Sequence, residues 1–175
     1  MESTTSVGPE AVRNAPLPFD ALYRACAADL YAYVATLLRD RAASEDVTAQ
    51  AFERAFRRRS TFDARRGTQR AWLFAIARNA ALDELRRRRR TVALAAEPAD
   101  VEPADDDTEA AVRRATVRAA LATLEARDRE LIALRFHAGL SIAEIAAVLR
   151  ISPTNASTRL HRALTRLREA CHAPT

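Results

Sequence analysis

The sequence predicts an all-α protein: two small helical domains joined by an acidic flexible linker, with a helix-turn-helix in the second domain. Three observations predict this class. Alanine and arginine, both strong helix formers, are abundant in the 175 residues, and all 28 basic residues are arginine. Only three glycines are present, too few for many tight hairpins. Apolar residues recur at spacings of three and four over long stretches, which is the helical period.

The charges form three blocks, although the net charge is only +5. Residues 1–92 hold 17 arginines against 11 acids, and residues 113–175 hold 11 arginines against five acids. Residues 93–112 hold seven acids and no base. Pro98 and Pro103 interrupt any helix there, and so many like charges cannot be buried together. We therefore expect four segments: a disordered tail at 1–18, a first domain at 19–92, the acidic linker at 93–111 and a second domain at 112–171.

Three helices are predicted in the first domain. Asp20 is expected to cap a helix that runs to about residue 40 and buries Cys26. Ser44 is expected to cap the second helix, because two acids follow it in the first turn. The buried stripe of that helix is predicted to be Val47, Ala51, Phe52, Ala55 and Phe56. Thr68 is expected to cap the third helix, which ends in a run of five arginines at 86–90.

Four helices are predicted in the second domain. The first is expected to open at Thr108 and to carry Val112 and Val117 in its apolar stripe. The second is predicted to cover residues 126–138 and to stop at Gly139, a left-handed residue. The last two belong to the helix-turn-helix.

Residues 141–169 predict that helix-turn-helix. Ser141 and Glu144 fit a capping box that opens a short helix, and Ser152 opens a longer basic helix with proline at its first position. Arg150 stands at the turn position where glycine usually supplies a positive φ. Residue types that read base edges and hold phosphates lie outward on the longer helix: Thr154, Asn155, Ser157, Thr158, Arg159, His161 and Arg162. The alternative is an ordinary helical hairpin with a solvated basic face.

The third helix of the first domain is a second candidate surface for nucleic acid. Asn79, Asp83, Arg86 and Arg90 fall on one face, since their spacing follows the helical repeat. A polar, arginine-rich face opposite a core that contains Trp72 suits nucleic acid, with the terminal arginines along the phosphates. The alternative is a solvated helix end.

The sequence indicates no catalytic or metal site. His137, His161 and His172 lack the spacing of metal ligands, and there is no Ser/His/Asp grouping or phosphate-binding glycine loop. We expect no enzyme, no metal and no cofactor, with Cys26 as a core residue. No run of about 18 apolar residues and no signal peptide is found, which predicts a cytoplasmic protein without direct membrane insertion.

Two motif blocks add a resemblance to a known family. The first runs from Ala43–Asp46 through Phe52 to WLxxIARNxxxDxxR at Trp72–Arg86, and it is similar to sigma region 2. The second combines EIAxxL at Glu144–Leu149 with Thr158–Ala163, and it is similar to sigma region 4. Together the blocks resemble a bacterial RNA polymerase sigma factor of the extracytoplasmic-function class. The resemblance covers about residues 19–90 and 112–170.

The resemblance implies that the third helix and the loop before it bind and open the promoter −10 element. In the loop Phe62–Gly67, the residues that would capture an unstacked non-template base include Phe62, Asp63, Arg65 and Arg66. On the helix, Asn79 and Asp83 would face bases, while Arg78, Arg86 and Arg87 would face the DNA backbone.

The resemblance also implies partners. Thr154 to Arg162 would read the −35 element in the major groove, with the other face of that domain on the polymerase flap. The second helix would dock on the clamp helices of the largest polymerase subunit through Glu45, Asp46, Gln50 and Glu53. The expected partners are therefore core RNA polymerase, promoter DNA and an anti-sigma factor. Asn155 and Ser157 replace the family's common Thr and Lys, so no promoter sequence is implied.

Other functions remain open from the sequence alone. A helix-turn-helix regulator would bind duplex DNA without polymerase, usually as a dimer on a palindrome. An interaction-only protein, such as a sigma decoy, would bind protein and start no transcripts. The acidic linker is either a solvated tether, a segment that lies against a basic face, or a phosphate mimic in the polymerase channel.

Overall fold

The computed structural model describes residues 17–92 and 109–172, and every regular element in them is helical. The first domain contains α1 (Phe19–Leu38), α2 (Arg41–Arg57) and α3 (Gln69–Val92), with 3₁₀ turns at Arg59–Thr61 and Ala64–Arg66 between α2 and α3. The second contains α4 (Glu109–Thr123), α5 (Ala126–Phe136), α6 (Ile142–Leu149) and α7 (Pro153–His172). The predicted all-α class is confirmed. Residues 1–16 of the predicted tail and 93–108 of the predicted linker lie outside the described residues.

The start of α2 differs from the prediction. Arg39 adopts a left-handed conformation (φ 51°) that ends α1 at once and places Asp40 as the N-cap of α2. The Asp40 carboxylate accepts a hydrogen bond from the Ala43 amide at 2.8 Å. Ser44, the predicted cap, is buried inside the helix, where its hydroxyl donates to the Asp40 carbonyl. Asp20 likewise lies in the first turn of α1 rather than at its cap, which is Pro18.

The three helices of the first domain pack against one another around aromatic and aliphatic side chains. The buried side chains include Leu22, Cys26, Leu30, Tyr33, Phe52, Leu73 and Phe74. Phe56 departs from the predicted stripe, since it is 47% exposed. Its ring packs edge-on against Phe19 at 5.1 Å, at the rim of the domain where α2 passes the beginning of α1.

In the second domain α5, α6 and α7 pack together, and α4 packs along α7. The two predicted turns are confirmed: Gly139 has φ 62° and Arg150 has φ 57°. Val112 and Val117 of the predicted apolar stripe are 65% and 41% exposed, so this part of the stripe is not buried. The contact of α4 with the core is made by residues near its end, Ala120 and Leu124.

The two domains are packed directly on each other. Helix α1 lies against α5, and α3 lies against α6. The buried apolar side chains of both domains form one hydrophobic cluster. Domains of this size are near the lower limit for independent stability, so burying a shared face stabilises both.

Candidate nucleic-acid interface

The outer face of α3 has the predicted composition. Asn79, Asp83 and Arg86 are exposed, while Ala77 and Ala80 on the other side are buried against the core. The Arg86 guanidinium donates to the Asp83 carboxylate at 3.0 Å. This pair is exposed to water, so it is weak and can be exchanged for contacts with a ligand.

The arginines at the end of α3 are partly neutralised within the helix. Glu84 accepts from Arg87 Nε and from Arg88 Nε, each at 2.8 Å. The hydrogen bond from Arg87, and then that from Arg88, holds the pKa of Glu84 below its usual value. Arg89 and Arg90, in the last turn, are exposed. The positive potential of this helix is therefore concentrated at its end.

The loop before α3 is built on an aromatic contact. The half-buried ring of Phe62 packs on Trp72 with 5.6 Å between ring centroids and a tilt of 57°. Asp63 accepts from the Arg65 amide at 3.0 Å and so opens a 3₁₀ turn that presents the exposed Arg65 and Arg66. The loop thus combines an aromatic surface, on which a nucleobase can stack, with exposed arginines that can bind phosphates.

Arg78 lies apart from this surface. Its guanidinium points into the contact between the domains, where Nε donates to Glu130 Oε1 at 2.7 Å. Only 20% of the Arg78 side chain and 11% of the Glu130 side chain are exposed. Successive residues of an α-helix are rotated by about 100°. Asn79 therefore faces solvent, although the preceding residue, Arg78, faces the other domain. In this arrangement the Arg78 guanidinium is bound to Glu130 and does not face the DNA-binding surface proposed for α3.

The helix-turn-helix is formed by α6 and α7. Ser141 and Glu144 make the predicted capping box, and Ser152 Oγ accepts from the Asn155 amide at 3.2 Å. Ile145, Ala156 and Leu160 are buried between the helices. The seven residues predicted to contact DNA are all exposed, and they lie along the first three turns of α7: Thr154, Asn155, Ser157, Thr158, Arg159, His161 and Arg162.

The predicted polymerase-binding residues line the exposed side of α2. Glu45, Asp46, Gln50 and Glu53 all face solvent. Arg41 pairs with Glu45 at 3.0 Å and Arg57 pairs with Glu53 at 2.6 Å, each one helical turn away. Asp46 and Gln50 lie one turn apart, so the surface is acidic at its start and polar along its length.

The polar residues between the domains were not predicted from the sequence. Glu130 is 8% exposed, and it also accepts a hydrogen bond from the buried Tyr33 hydroxyl at 3.3 Å. Burial first, and then the Glu130 charge, raises the pKa of Tyr33 well above its usual value. Arg70 donates to the His137 carbonyl at 3.1 Å and to Asp29 at 2.5 Å. One sequence signal for this contact exists: Glu130 is a charged residue on the same apolar face as Leu131 and Leu134, which indicates a buried charge with a partner.

The beginnings of α3 and α6 also meet across the interface. Thr68 caps α3 by accepting from the Ala71 amide at 3.2 Å, and its hydroxyl donates to the Glu144 carboxylate. Glu144 thus serves its own capping box and the cap of another helix. The hydrogen bonds from Thr68 and Ser141 outweigh burial and hold the pKa of Glu144 below its usual value.

Within residues 17–92 and 109–172, no group of three or more His, Cys, Asp or Glu side chains is arranged to hold a metal ion. None of the helices described has both the length and the apolar character needed to cross a membrane.

Comparisons with known proteins agree with this division into two regions. Residues 22–91 match the Sigma-70 region 2 family, and residues 114–167 match the Sigma-70 region 4 family. The chain is 35% identical over 151 residues to the ECF RNA polymerase sigma factor SigL of Mycobacterium tuberculosis, covering 85% of each chain. It is 34% identical over 155 residues to the RNA polymerase sigma factor CarQ of Myxococcus xanthus, covering 86% of this chain and 87% of that protein.

Solved structures show the same architecture. The sigma factor RpoE, in complex with the anti-sigma factor NepR from Bartonella quintana, matches with a TM-score of 0.72 and 25% identity, over 90% of this chain and 98% of that one. CnrH, in complex with the cytosolic domain of CnrY, matches with a TM-score of 0.63 and 26% identity, over 90% and 89%.

A helical chain with one exposed basic surface per domain, the second on a helix-turn-helix, defines a two-region transcription factor of the sigma type. The matches cover both regions in order and most of the chain. The chain belongs to the extracytoplasmic-function (ECF) family of RNA polymerase sigma factors.

Proposed function

We propose that this sigma factor binds core RNA polymerase through α2, contacts the −10 element through the 62–67 loop and the outer face of α3, and contacts the −35 element through α7. The observation that carries the proposal is the presence of two exposed basic surfaces, one in each domain, in the order of sigma regions 2 and 4. The factor acts with polymerase in the cytoplasm. Sigma factors are regulatory subunits rather than catalysts, and this one makes and breaks no covalent bond.

Reading of the −35 element rests on the first three turns of α7. A helix of this size fits the major groove of B-DNA, where Asn pairs well with adenine and Arg with guanine. Asn155, Arg159 and Arg162 follow one another at spacings of four and three, so they lie along one exposed face.

Opening of the −10 element rests on the loop and α3. Extruding a base costs a few kcal/mol, and stacking on an aromatic side chain returns roughly 1–3 kcal/mol. Phe62 on Trp72 supplies the stacking surface, while Arg65 and Arg66 supply charge for the adjoining phosphates. Asn79 and Asp83 lie on the exposed side of the helix that follows.

Arg78 reaches promoter DNA only if the domains separate. Its guanidinium is bound to Glu130 in the packed arrangement. The proposed sigma activity therefore includes a rearrangement in which polymerase binding replaces the contact between α3 and the second domain. The resulting separation also lets the two surfaces reach promoter elements that are apart on the DNA.

An anti-sigma factor is the proposed regulator. RpoE and CnrH, which share this fold, are both found in complexes, RpoE with the anti-sigma factor NepR and CnrH with the cytosolic domain of CnrY. An inhibitor that holds the domains of this chain together would keep Arg78 bound to Glu130 and hide part of the −10 surface.

The test is transcription in vitro with core polymerase and genomic DNA fragments, with and without this protein. We expect new start sites only when the protein is present. Replacing Arg159 and Arg162 by Ala should weaken promoter use, by about 1–3 kcal/mol of binding free energy for each arginine that reads a guanine. Arg168→Ala is the matched control, because Arg168 is exposed on the same helix but outside the proposed surface.

A second pair of variants separates recruitment from opening. Phe62→Ala with Arg65→Ala should leave binding to core polymerase intact and block strand opening, as read by permanganate reactivity of unpaired thymines. A protein that starts no transcripts and shifts duplex DNA without polymerase would instead be a helix-turn-helix regulator. One that binds core polymerase without giving transcripts would be an interaction-only protein.

A further inference from the structure

A groove of about 980 Å³ lies between the second half of α1 and helix α4 of the second domain. One wall is the last two turns of α1, and the other is formed by α4 with part of α5. Its floor is apolar, built from Ala32, Ala35, Val117 and Leu121. Its rim carries five arginines: Arg39, Arg113, Arg114, Arg118 and Arg129. Among residues 17–92 and 109–172, none of those that line the groove is acidic.

Most of these arginines have no carboxylate partner among residues 17–92 and 109–172. Arg113 pairs with Glu109, whereas no ion pair within those ranges joins Arg114, Arg118 or Arg129 to an acid. Arg129 donates through one terminal nitrogen to the Leu124 carbonyl, but its Nε is buried without an acceptor. Burial, and then the neighbouring Arg39, lowers the pKa of Arg129. Like charges around an apolar floor favour an anionic occupant with apolar groups.

The chain itself contains a segment of that chemistry. Residues 93–108 join α3 to α4, and they hold six acids and no base. Leu94 and Val101 add apolar side chains. The acids are Glu97, Asp100, Glu102, Asp105, Asp106 and Asp107.

The helices on both sides of this segment have residues in or next to the groove. Near the end of α3, Arg88 Nη2 lies 3.2 Å from Asp40 Oδ2, and Asp40 follows the groove residue Arg39. At the other end, α4 begins at Glu109 and presents Arg113 and Arg114 to the groove within its first two turns. Sixteen residues span up to roughly 50 Å when extended, so the length places no limit on the path. Tethering at both ends gives an effective concentration on the order of millimolar.

We propose that the acidic segment 93–108 binds in this groove, with its carboxylates on the rim arginines and its apolar side chains on the floor. Bound there, the segment connects α1 of the first domain to α4 and α5 of the second and favours the packed arrangement. The binding weakens as salt rises, because the arginines are at the surface. It is independent of the proposed function, since it is a property of the sigma factor without polymerase or DNA.

The test is a photo-cross-linking residue in place of Val101 in the full-length protein, with cross-links mapped by mass spectrometry. We expect intramolecular cross-links to residues 31–39 and 113–122. Arg114→Ala with Arg118→Ala should lower their yield about fivefold, as expected for losing two exposed ion pairs. Arg54→Ala with Arg58→Ala is the matched control, because Arg54 in the last turn of α2 and Arg58 directly after that helix are both exposed and neither lines the groove. The control should retain full yield.

A second variant protects the test against misfolding. Replacing the six acids of the segment by Asn and Gln leaves every described residue unchanged, so its helical content should be unchanged by circular dichroism. The same cross-links should be lost. Cross-links that persist in this variant, that map elsewhere, or that join two chains overturn the proposal; the last outcome would make a second copy the occupant.

Discussion

Arg78 of α3 and Glu130 of α5 form an ion pair between the two domains, with 2.7 Å from Nε to Oε1. The Tyr33 hydroxyl donates to the same carboxylate oxygen. Glu130 therefore lies between a cation and a phenol, in a contact largely closed to water. A charge in such a place is tolerated only while its partner is present.

The first prediction concerns this pair. Glu130→Gln should lower the free energy of unfolding by about 2 kcal/mol, because it leaves the Arg78 guanidinium partly buried without a counter-charge; full burial would cost about 3–5 kcal/mol. Urea denaturation followed by circular dichroism measures the change. Glu53→Gln, which breaks the exposed pair with Arg57, should cost less than about 0.5 kcal/mol.

Replacing both partners separates charge from packing. Arg78→Met with Glu130→Leu should recover most of the lost stability, because apolar side chains of similar volume need no counter-charge. If this double variant is as unstable as Glu130→Gln, the geometry of the pair stabilises the interface rather than its charge balance.

Local signals predicted most of the helices, and long-range contacts account for what they missed. Thr68, Ser141, Ser152 and Gly139 mark helix ends through hydrogen bonds or dihedral angles within a few residues, so the sequence alone locates them. The start of α2 was misplaced by four residues, because a non-glycine residue, Arg39, takes the left-handed conformation that makes Asp40 the cap. That choice has no local sequence signature.

The candidate site shows the same division. Helical periodicity is enough to predict that the seven residues of α7 are exposed, because the apolar residues Ala156, Leu160 and Ala163 mark the buried face of that helix. It does not determine the surroundings of Arg78, whose partner Glu130 lies 52 residues away on another domain. The exposure of Val112 and Val117 has a related cause. The apolar stripe of α4 continues toward the start of the helix, but only the end of α4, at Ala120, is buried against the rest of the domain.

The second prediction concerns the Asp40 cap. Asp40→Ala should destabilise the protein by about 1 kcal/mol at neutral pH through loss of the hydrogen bond to the Ala43 amide. That hydrogen bond, helped by Arg88, lowers the pKa of Asp40 in the folded protein. The contribution is therefore complete above about pH 4 and falls as pH drops through the lowered folded pKa. Asp40→Asn keeps a cap without a charge, and its stability relative to wild type should improve in acid.

The third prediction concerns the two cysteines. Cys26 is 2% exposed, and burial raises its pKa despite the nearby Arg70. Iodoacetamide at pH 8 should therefore modify Cys171, which is only partly buried, at least about a hundredfold faster. Mass spectrometry of the native protein should show one adduct, and a second should appear in urea. Cys171→Ser should remove the fast adduct; rapid labelling of Cys26 would contradict its place in the core.

The fourth prediction concerns the turn of the helix-turn-helix. Arg150 has φ 57° and ψ 46°, a left-handed conformation that costs a non-glycine residue roughly 1 kcal/mol. Arg150→Gly should raise the free energy of unfolding by up to about 0.5 kcal/mol, because relief of this strain slightly exceeds the added entropy of the unfolded glycine. The backbone amide of Arg150 closes the end of α6 on the Ala146 and Ala147 carbonyls, and glycine keeps that donor. Arg150→Ala is the matched control: it removes the same side chain and keeps the strain, so it should give no gain. If Arg150→Gly and Arg150→Ala were equally stable, the turn would hold no strain. If only Arg150→Gly weakened binding to the −35 element, the added flexibility of the turn would be the cause.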